Sequence, residues 1–243
     1  MTSLNTHPSF VAPMPRLVTY PVAPDEGLAV EISQSVADAP VGRPHGIYHS
    51  ISKPVIDVVI AGSLILVFLP LMAAIWLAIR ITTDADPIFR QLRIGKDGQP
   101  FNVYKFCTMR PDRRRIVVEI EYDRRRSHKT SSDPRVTPVG RILRKWSLDE
   151  LPQLFNVLSG DMSLVGPRPE MVSLVERYEP WQHARHLVKP GLTGLWQISG
   201  RGHKPMHECI QMDLDYIKGL SLQTDLRILA ATPSAVLGGN HGY

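Results

Sequence analysis

The chain has 243 residues, 43% hydrophobic and 21% charged, with a formal net charge of +5. That length suffices for one domain and a tail. Two cysteines, Cys107 and Cys209, exclude a disulfide framework and a cysteine-rich zinc site, and the lack of heptads and repeats excludes fibrous and solenoid classes.

Residues 1–50 carry two basic and four acidic groups, and the stretch THPSFVAPMPRLVTYPVAPDEG has a proline every few positions. No helical or strand period is sustained there, which predicts a disordered, Pro-rich N-terminal tail. No charged n-region precedes a short apolar core, so a signal peptide is not expected.

Residues 51–81 change class. Within them 58–79, VVIAGSLILVFLPLMAAIWLAI, is 22 residues without a charge. As a helix it would span roughly 33 Å, about a bilayer core. Soluble helices seldom stay apolar on every face for six turns. Pro70, in mid-run, removes a backbone hydrogen bond and predicts a kink. Lys53 precedes the run and Arg80, Arg90 and Arg93 follow it, so the flanks set no clear direction. A helix that enters and leaves one face fits the pattern, and so does a kinked span.

Residues 80–243 carry 25 basic and 18 acidic groups. DPIFRQLRIG and QPFNVYKF read as two strands around a Lys96-Asp97-Gly98 turn. Two Arg triplets, at 113–115 and 124–126, read as a solvated charged loop or as an attraction to anionic lipid. No nucleic-acid module accompanies them, so a nucleic-acid partner is not expected.

The stretch from Val136 to Glu170 is the densest in chemistry. Residues 140–146 predict a short basic helix. Ser147-Leu148-Asp149-Glu150 has capping-box spacing, with Ser147 as N-cap. Leu151, Leu154, Phe155 and Leu158 then recur as a buried helical face, and Gly160 reads as a C-cap. This places Asp149 in a first helical turn, where a carboxylate can hold Mg²⁺, attack phosphorus or stabilise the helix. Spacing leaves those three open. Arg144 lies nearby, and Arg168 stands between Pro167 and Pro169, so its backbone is restricted. Such an arginine suits a phosphate or a structural ion pair. Arg201, in the glycine-rich LTGLWQISGRG, is another anion candidate. Neither G-x-G-x-x-G nor a P-loop occurs.

These residues carry a resemblance. K-P-x-x-D before an apolar run with a central proline is followed by YKF-x-TM and DPR-x-T-x-x-G-R-x-L-R. SLDELPQLFNVLSGDMSLVGPRP and VKPGLTGLWQISGR come next. Over 52–225 this arrangement resembles the bacterial sugar transferases, the monotopic polyprenyl-phosphate phosphoglycosyl transferases. The resemblance implies an α+β, mostly helical fold. It implies a re-entrant membrane helix over 51–81 broken at Pro70, and a cytoplasmic catalytic domain over 82–243 at the bacterial inner membrane. It implies transfer of a hexose 1-phosphate from a UDP-sugar to undecaprenyl phosphate with release of UMP, the initiating step of exopolysaccharide synthesis. The donor would be a UDP-hexose, galactose or glucose. Asp149 would carry a covalent phosphosugar, Asp149 with Glu150 would hold Mg²⁺, and Glu150 would support that metal or prime the lipid acceptor. Lys105, Arg144, Arg168 and Arg201 fall on the family's basic residues around the phosphates. Inner-membrane lipid would be a partner, and a homodimer is compatible.

Three departures stand out. Leu69 precedes the central proline where the family often has Ser, Cys107 replaces a basic residue, and RGHKPMHE replaces R-N-A-x-S-W. The last two motivate an alternative, a catalytically degenerate membrane-tethered scaffold.

Overall fold

The computed structural model describes residues 26–83, 85–110, 135–199 and 209–237. Helix α1 (Glu26–Ala37) comes first. Its Ile32 and Val36, one turn apart, are buried. Ile32 packs on Gly98, whose positive φ belongs to a turn in the body. Arg43 pairs with Asp97 of the same turn at 2.9 Å. The expected disordered tail is therefore corrected over 26–50. The apolar side chains one turn apart cover the hairpin turn, a pattern that the proline spacing upstream obscured. Residues 1–25 lie outside the described residues.

Helix α2 (Lys53–Thr82) follows a π-helical turn, Tyr48–Ser52. Pro70 lies inside α2, and the backbone is helical on both sides of it, so the expected break is not an interruption of the helix. Together these segments form one helix, Tyr48–Thr82, long and apolar enough to cross a membrane. Leu66, Val67 and Leu69 at its middle are exposed. So are Ile51, Val55 and Ile81 toward its ends, but one face of the helix, Lys53, Asp57, Ala61, Ile65, Met72, Ile75 and Ile79, is buried along its length. Lys53 Nζ donates to the Val165 carbonyl at 3.0 Å and pairs with Asp225 at 2.6 Å. Asp57 accepts from Ser163 Oγ at 2.7 Å and from the Leu164 N–H at 3.2 Å. At the far end Met72, Ile75 and Ile79 share an apolar cluster with Phe106, Cys107 and Leu143. One face of α2 thus rests on the body from end to end, with Ala61 and Ile65 of its middle packed in the main core.

The body is mostly helical with small sheets. Strands β1 (Ile88–Ile94) and β2 (Pro100–Phe106) form the expected antiparallel hairpin, in register from Ile88↔Phe106 to Ile94↔Pro100. Helix α3 (Pro138–Lys145), a 3₁₀ turn (Leu148–Glu150) and helix α4 (Gln153–Leu158) follow. Next come strand β3 (Ser163–Val165), strand β4 (Glu170–Met171) and helix α5 (Val172–Val175). A 3₁₀ segment (Pro180–Leu187), strand β5 (Gly191–Thr193) and helices α6 (Leu195–Ile198), α7 (Ile210–Lys218) and α8 (Leu222–Leu237) complete it. The larger sheet has the order β2-β1-β4, and β3 pairs with β5 in parallel. The main core gathers Leu154, Val157, Leu164, Ile210, Leu214 and Ile228 under β3 and β5.

Two local expectations are corrected. Ser147 makes no capping bond; it adopts a left-handed backbone, φ 54°, and turns the chain. Asp149 therefore sits on a 3₁₀ turn ahead of α4, not in an α-helical first turn. The buried face of α4 is also rotated: Gln153, Leu154, Asn156 and Val157 are buried, while Phe155 and Leu158 are exposed. The cause is Asn156. Its Oδ1 accepts from the Tyr104 N–H at 3.0 Å and its Nδ2 donates to the Asn102 carbonyl at 2.7 Å, which turns that face onto β2. Gly160, φ 87°, ends the helix as expected, its N–H reaching the Val157 carbonyl.

Candidate active site

Three elements deliver the site. Thr137 caps α3 by accepting the Gly140 N–H at 2.8 Å. Gly140 lies so close to the Thr108 backbone that any Cβ would collide with it. This contact fastens α3 beside the end of β2, where Arg144 Nε donates to Thr108 Oγ1 at 2.9 Å. Beyond α3, Ser147 reverses the chain into the Leu148–Glu150 turn. The Asn156 bonds then hold that turn against β2, which carries Lys105.

The third element is the Pro167-Arg168-Pro169 segment. It follows Gly166, whose backbone touches those of Gly191 and Gly194; a Cβ on any of the three would meet main-chain atoms of its neighbours. Glycine is thus demanded by close approach rather than by φ.

These elements converge on Glu150. Lys105 Nζ stands 2.8 Å from Glu150 Oε1. Arg168 Nη2 donates to the same oxygen at 2.6 Å, and Nη1 lies 3.4 Å from Oε2. Burial pushes the Glu150 carboxyl up, but Arg168 and Lys105 outweigh it and hold the group well below its ordinary value. Asp149 behaves oppositely. Burial, then the adjacent Glu150 charge, raises its carboxyl to about 6, against the pull of Lys105, Arg144 and Arg168. Adjacent carboxylates pushed apart in this way divide labour between a fixed charge and a group poised near neutrality. Burial lowers Lys105, against the pull of Glu150, whereas Arg168 is raised chiefly by Glu150.

The structure therefore brings Asp149, Glu150, Lys105, Arg144 and Arg168 together. Arg201 and both Arg triplets lie outside the described residues. Cys107 belongs to the apolar cluster with Met72, Ile75 and Leu143, and its Sγ lies 3.3 Å from the Met109 carbonyl.

Among the described residues no group of three or more His, Cys, Asp or Glu forms a metal centre. Mg²⁺ needs less: one or two carboxylates, with waters and substrate phosphates. Asp149 suits it, because burial and the Glu150 charge press that carboxyl toward the neutral form, a pressure that a cation relieves. Glu150 already meets two cations.

Sequence reasoning missed Arg93, Glu170, Arg185 and Asp213, which stand behind Arg168. Arg185 pairs with Asp213 at 2.8 Å, and Arg93 lies 3.6 Å from Glu170. The available signal was an acid directly after GPRP; no periodicity marks the others.

Comparison with known proteins gives the family. The family model for "Bacterial sugar transferase" matches residues 48–239. The chain is 39% identical over 199 residues to the undecaprenyl-phosphate galactose phosphotransferase of Salmonella typhimurium, covering 79% of this chain and 41% of that protein. It is 41% identical over 184 residues to the UDP-glucose:undecaprenyl-phosphate glucose-1-phosphate transferase of Escherichia coli, covering 72% and 38%. It therefore spans about two-fifths of these relatives' length. The exopolysaccharide production protein ExoY of Sinorhizobium fredii is 39% identical over 208 residues, with 83% of this chain and 91% of that protein covered. The match of the family model, which takes in every site residue described above, shows that the chain belongs to the bacterial sugar transferase family.

Proposed function

We propose that the chain transfers a hexose 1-phosphate from a UDP-sugar to undecaprenyl phosphate through Asp149. The observation that carries this reading is the half-buried Asp149 carboxyl, next to Glu150 and among the cationic Lys105, Arg144 and Arg168, which burial and Glu150 push up to about 6. The names of the Salmonella and Escherichia relatives supply the substrate class, UDP-linked glucose or a galactose counterpart, and the lipid phosphate acceptor.

An ionised Asp149 oxygen attacks the phosphorus that bears the sugar. The bond from that phosphorus to the bridging oxygen breaks, and UMP leaves with the oxygen and its electron pair. An oxygen of undecaprenyl phosphate then attacks the same phosphorus and expels the Asp149 carboxylate, leaving a lipid diphosphate-sugar. Two in-line displacements replace one between bulky anions. Asp149, with Glu150 beside it, would hold Mg²⁺, which when bound neutralises diphosphate charge. Lys105, Arg144 and Arg168 orient the phosphoryl oxygens, and Arg168 offers two donors in one plane.

The membrane reading follows from α2. One face of the helix rests on one body along its length, while Leu66, Val67 and Leu69 on its other side are exposed. A helix with one face held by a single body favours entry and exit on a single face, with Pro70 as the bend point. UDP-sugars are cytoplasmic, so that face would be the cytoplasmic side of the inner membrane. Exposed Ile142, Trp146, Phe155 and Leu158 beside the site suit the lipid surface. The scaffold reading loses one support, since Cys107 packs in an apolar cluster.

Intact-protein mass after incubation with Mg²⁺ and a panel of UDP-sugars, without acceptor lipid, tests the chemistry. A gain of one hexose phosphate, absent in Asp149→Asn, is the expected result and identifies the donor. UMP release only when lipid is added, with no adduct, would overturn the covalent route.

A further inference from the structure

Three consecutive carbonyls in the Arg168 segment are each held by a different element. The Gly191 N–H donates to the Pro167 carbonyl at 2.8 Å. Arg185 Nη2 donates to the Arg168 carbonyl at 2.7 Å. Arg93 Nη1 donates to the Pro169 carbonyl at 3.2 Å. Pro167 and Pro169 have no N–H of their own, so the segment is fastened mainly through its acceptors.

The two arginines are themselves fixed. Arg185 Nη1 donates to Tyr178 Oη at 2.7 Å, and Arg185 Nη2 lies 2.8 Å from Asp213. Arg93 Nη2 donates to Gln91 Oε1 at 2.6 Å. Glu170 lies between them, 3.6 Å from Arg93 and 4.0 Å from Arg185, and is fully buried. Two guanidinium groups against two carboxylates leave the cluster neutral. A hydrophobic core of the same volume would stabilise the fold as well. What such a core could not do is grip two consecutive main-chain carbonyls.

We propose that Arg185 and Arg93 are positioning residues for the transfer reaction, holding the Arg168 and Pro169 carbonyls so that the Arg168 guanidinium keeps its place at Glu150 and the substrate phosphates. This rests on the phosphosugar-transfer reading. A displacement of ~1 Å at such a group costs on the order of 10²-fold in rate. Lysine keeps the charge but lacks the planar fork, so it loses the simultaneous grip on carbonyl and partner.

The test is a double-mutant cycle in the full chain in detergent. Arg185→Lys should lower kcat at least tenfold with KM within about threefold, and Arg168→Ala should lower it further. Arg185→Lys added to Arg168→Ala should then cost less than threefold more. Equal losses in both backgrounds, or an unchanged kcat, overturn the proposal. Hydrogen exchange over residues 166–171 gives a readout that needs no turnover. Faster exchange there in Arg185→Lys, with α4 and β2 unchanged, supports the clamp, and unchanged exchange overturns it. If the wild-type chain turns over no UDP-sugar, the functional reading fails, and exchange decides the clamp by itself. Should Arg185→Lys not fold, Arg93→Lys carries the same cycle and exchange measurement through the Pro169 carbonyl.

Discussion

Arg168 closes on Glu150 and not on Asp149: its Nη2 lies 2.6 Å from Glu150 Oε1, an oxygen that also takes Lys105. One member of the acidic pair is neutralised by fixed cations. The other keeps a carboxylate without a hydrogen bond or ion pair among the described residues. The division of labour follows from that asymmetry.

In metal-free protein the two carboxyls should titrate far apart. Labelling by dicyclohexylcarbodiimide, which modifies protonated carboxyls, should appear at Asp149 as pH falls through about 6. Glu150 should stay unlabelled until well below its ordinary range. Peptide mass spectrometry across pH reads both, and labelling of Glu150 before Asp149 contradicts the assignment.

Arg168→Lys should lower turnover by two orders of magnitude or more while the fold survives. The loss of one charge-assisted hydrogen bond to Glu150 costs about 2 kcal/mol. A few degrees in melting temperature with a near-total loss of phosphosugar adduct is the expected pair of results.

Stability should decline in mild acid through His183 and His186. Burial lowers both; Arg185 and His183 lower His186 further, whereas Glu31 opposes the shift at His183. A base with a depressed folded value lets the unfolded chain take up protons first. Stability from this source is complete above about pH 6.5 and is lost as pH falls below it. Denaturant midpoints at pH 7.5 and 5.5 should converge in His186→Phe relative to the parent chain.

Lys53→Met should destabilise the folded body by about 3–5 kcal/mol, because it leaves the buried Asp225 carboxylate without its cation. Lys53→Met with Asp225→Leu should recover much of that loss. Thermal unfolding of the four forms in one detergent gives the coupling; an additive double variant would show that the pair is not a unit.

The hairpin, the apolar helix and the acidic turn were legible because each leaves a local mark: alternation around Lys96-Asp97-Gly98, six uncharged turns, and Asp149-Glu150 after a basic helix. The capping box was misread because Ser147 is recruited to reverse the chain, a demand set by β2 and α3. The face of α4 was misread because a polar residue, Asn156, outbids Phe155 for the interior by satisfying two β2 backbone groups. Helix α1 was missed because two buried residues in a proline-rich region carry little period. The cluster behind Arg168 draws on β1, β4, the Pro180–Leu187 segment and α7, and no window of sequence contains it.

The anchoring of α2 also sets an order of assembly. Lys53 precedes its partner Asp225 by 172 residues, and Asp57 precedes Ser163 by 106. At about 5–20 residues per second the ribosome needs roughly 9–34 s to deliver Asp225 after Lys53. Asp57 meets Ser163 and Lys53 meets the Val165 carbonyl before then, but the Lys53 charge lacks its carboxylate until Asp225 arrives. The first turn of α2 is therefore fastened in stages, with the ion pair last. Helix α8 thus closes a seat that β2, α3 and β3 have already begun, and a nascent chain stalled before it would hold α2 by the Asp57 bonds and the Phe106–Leu143 cluster without the Lys53–Asp225 pair.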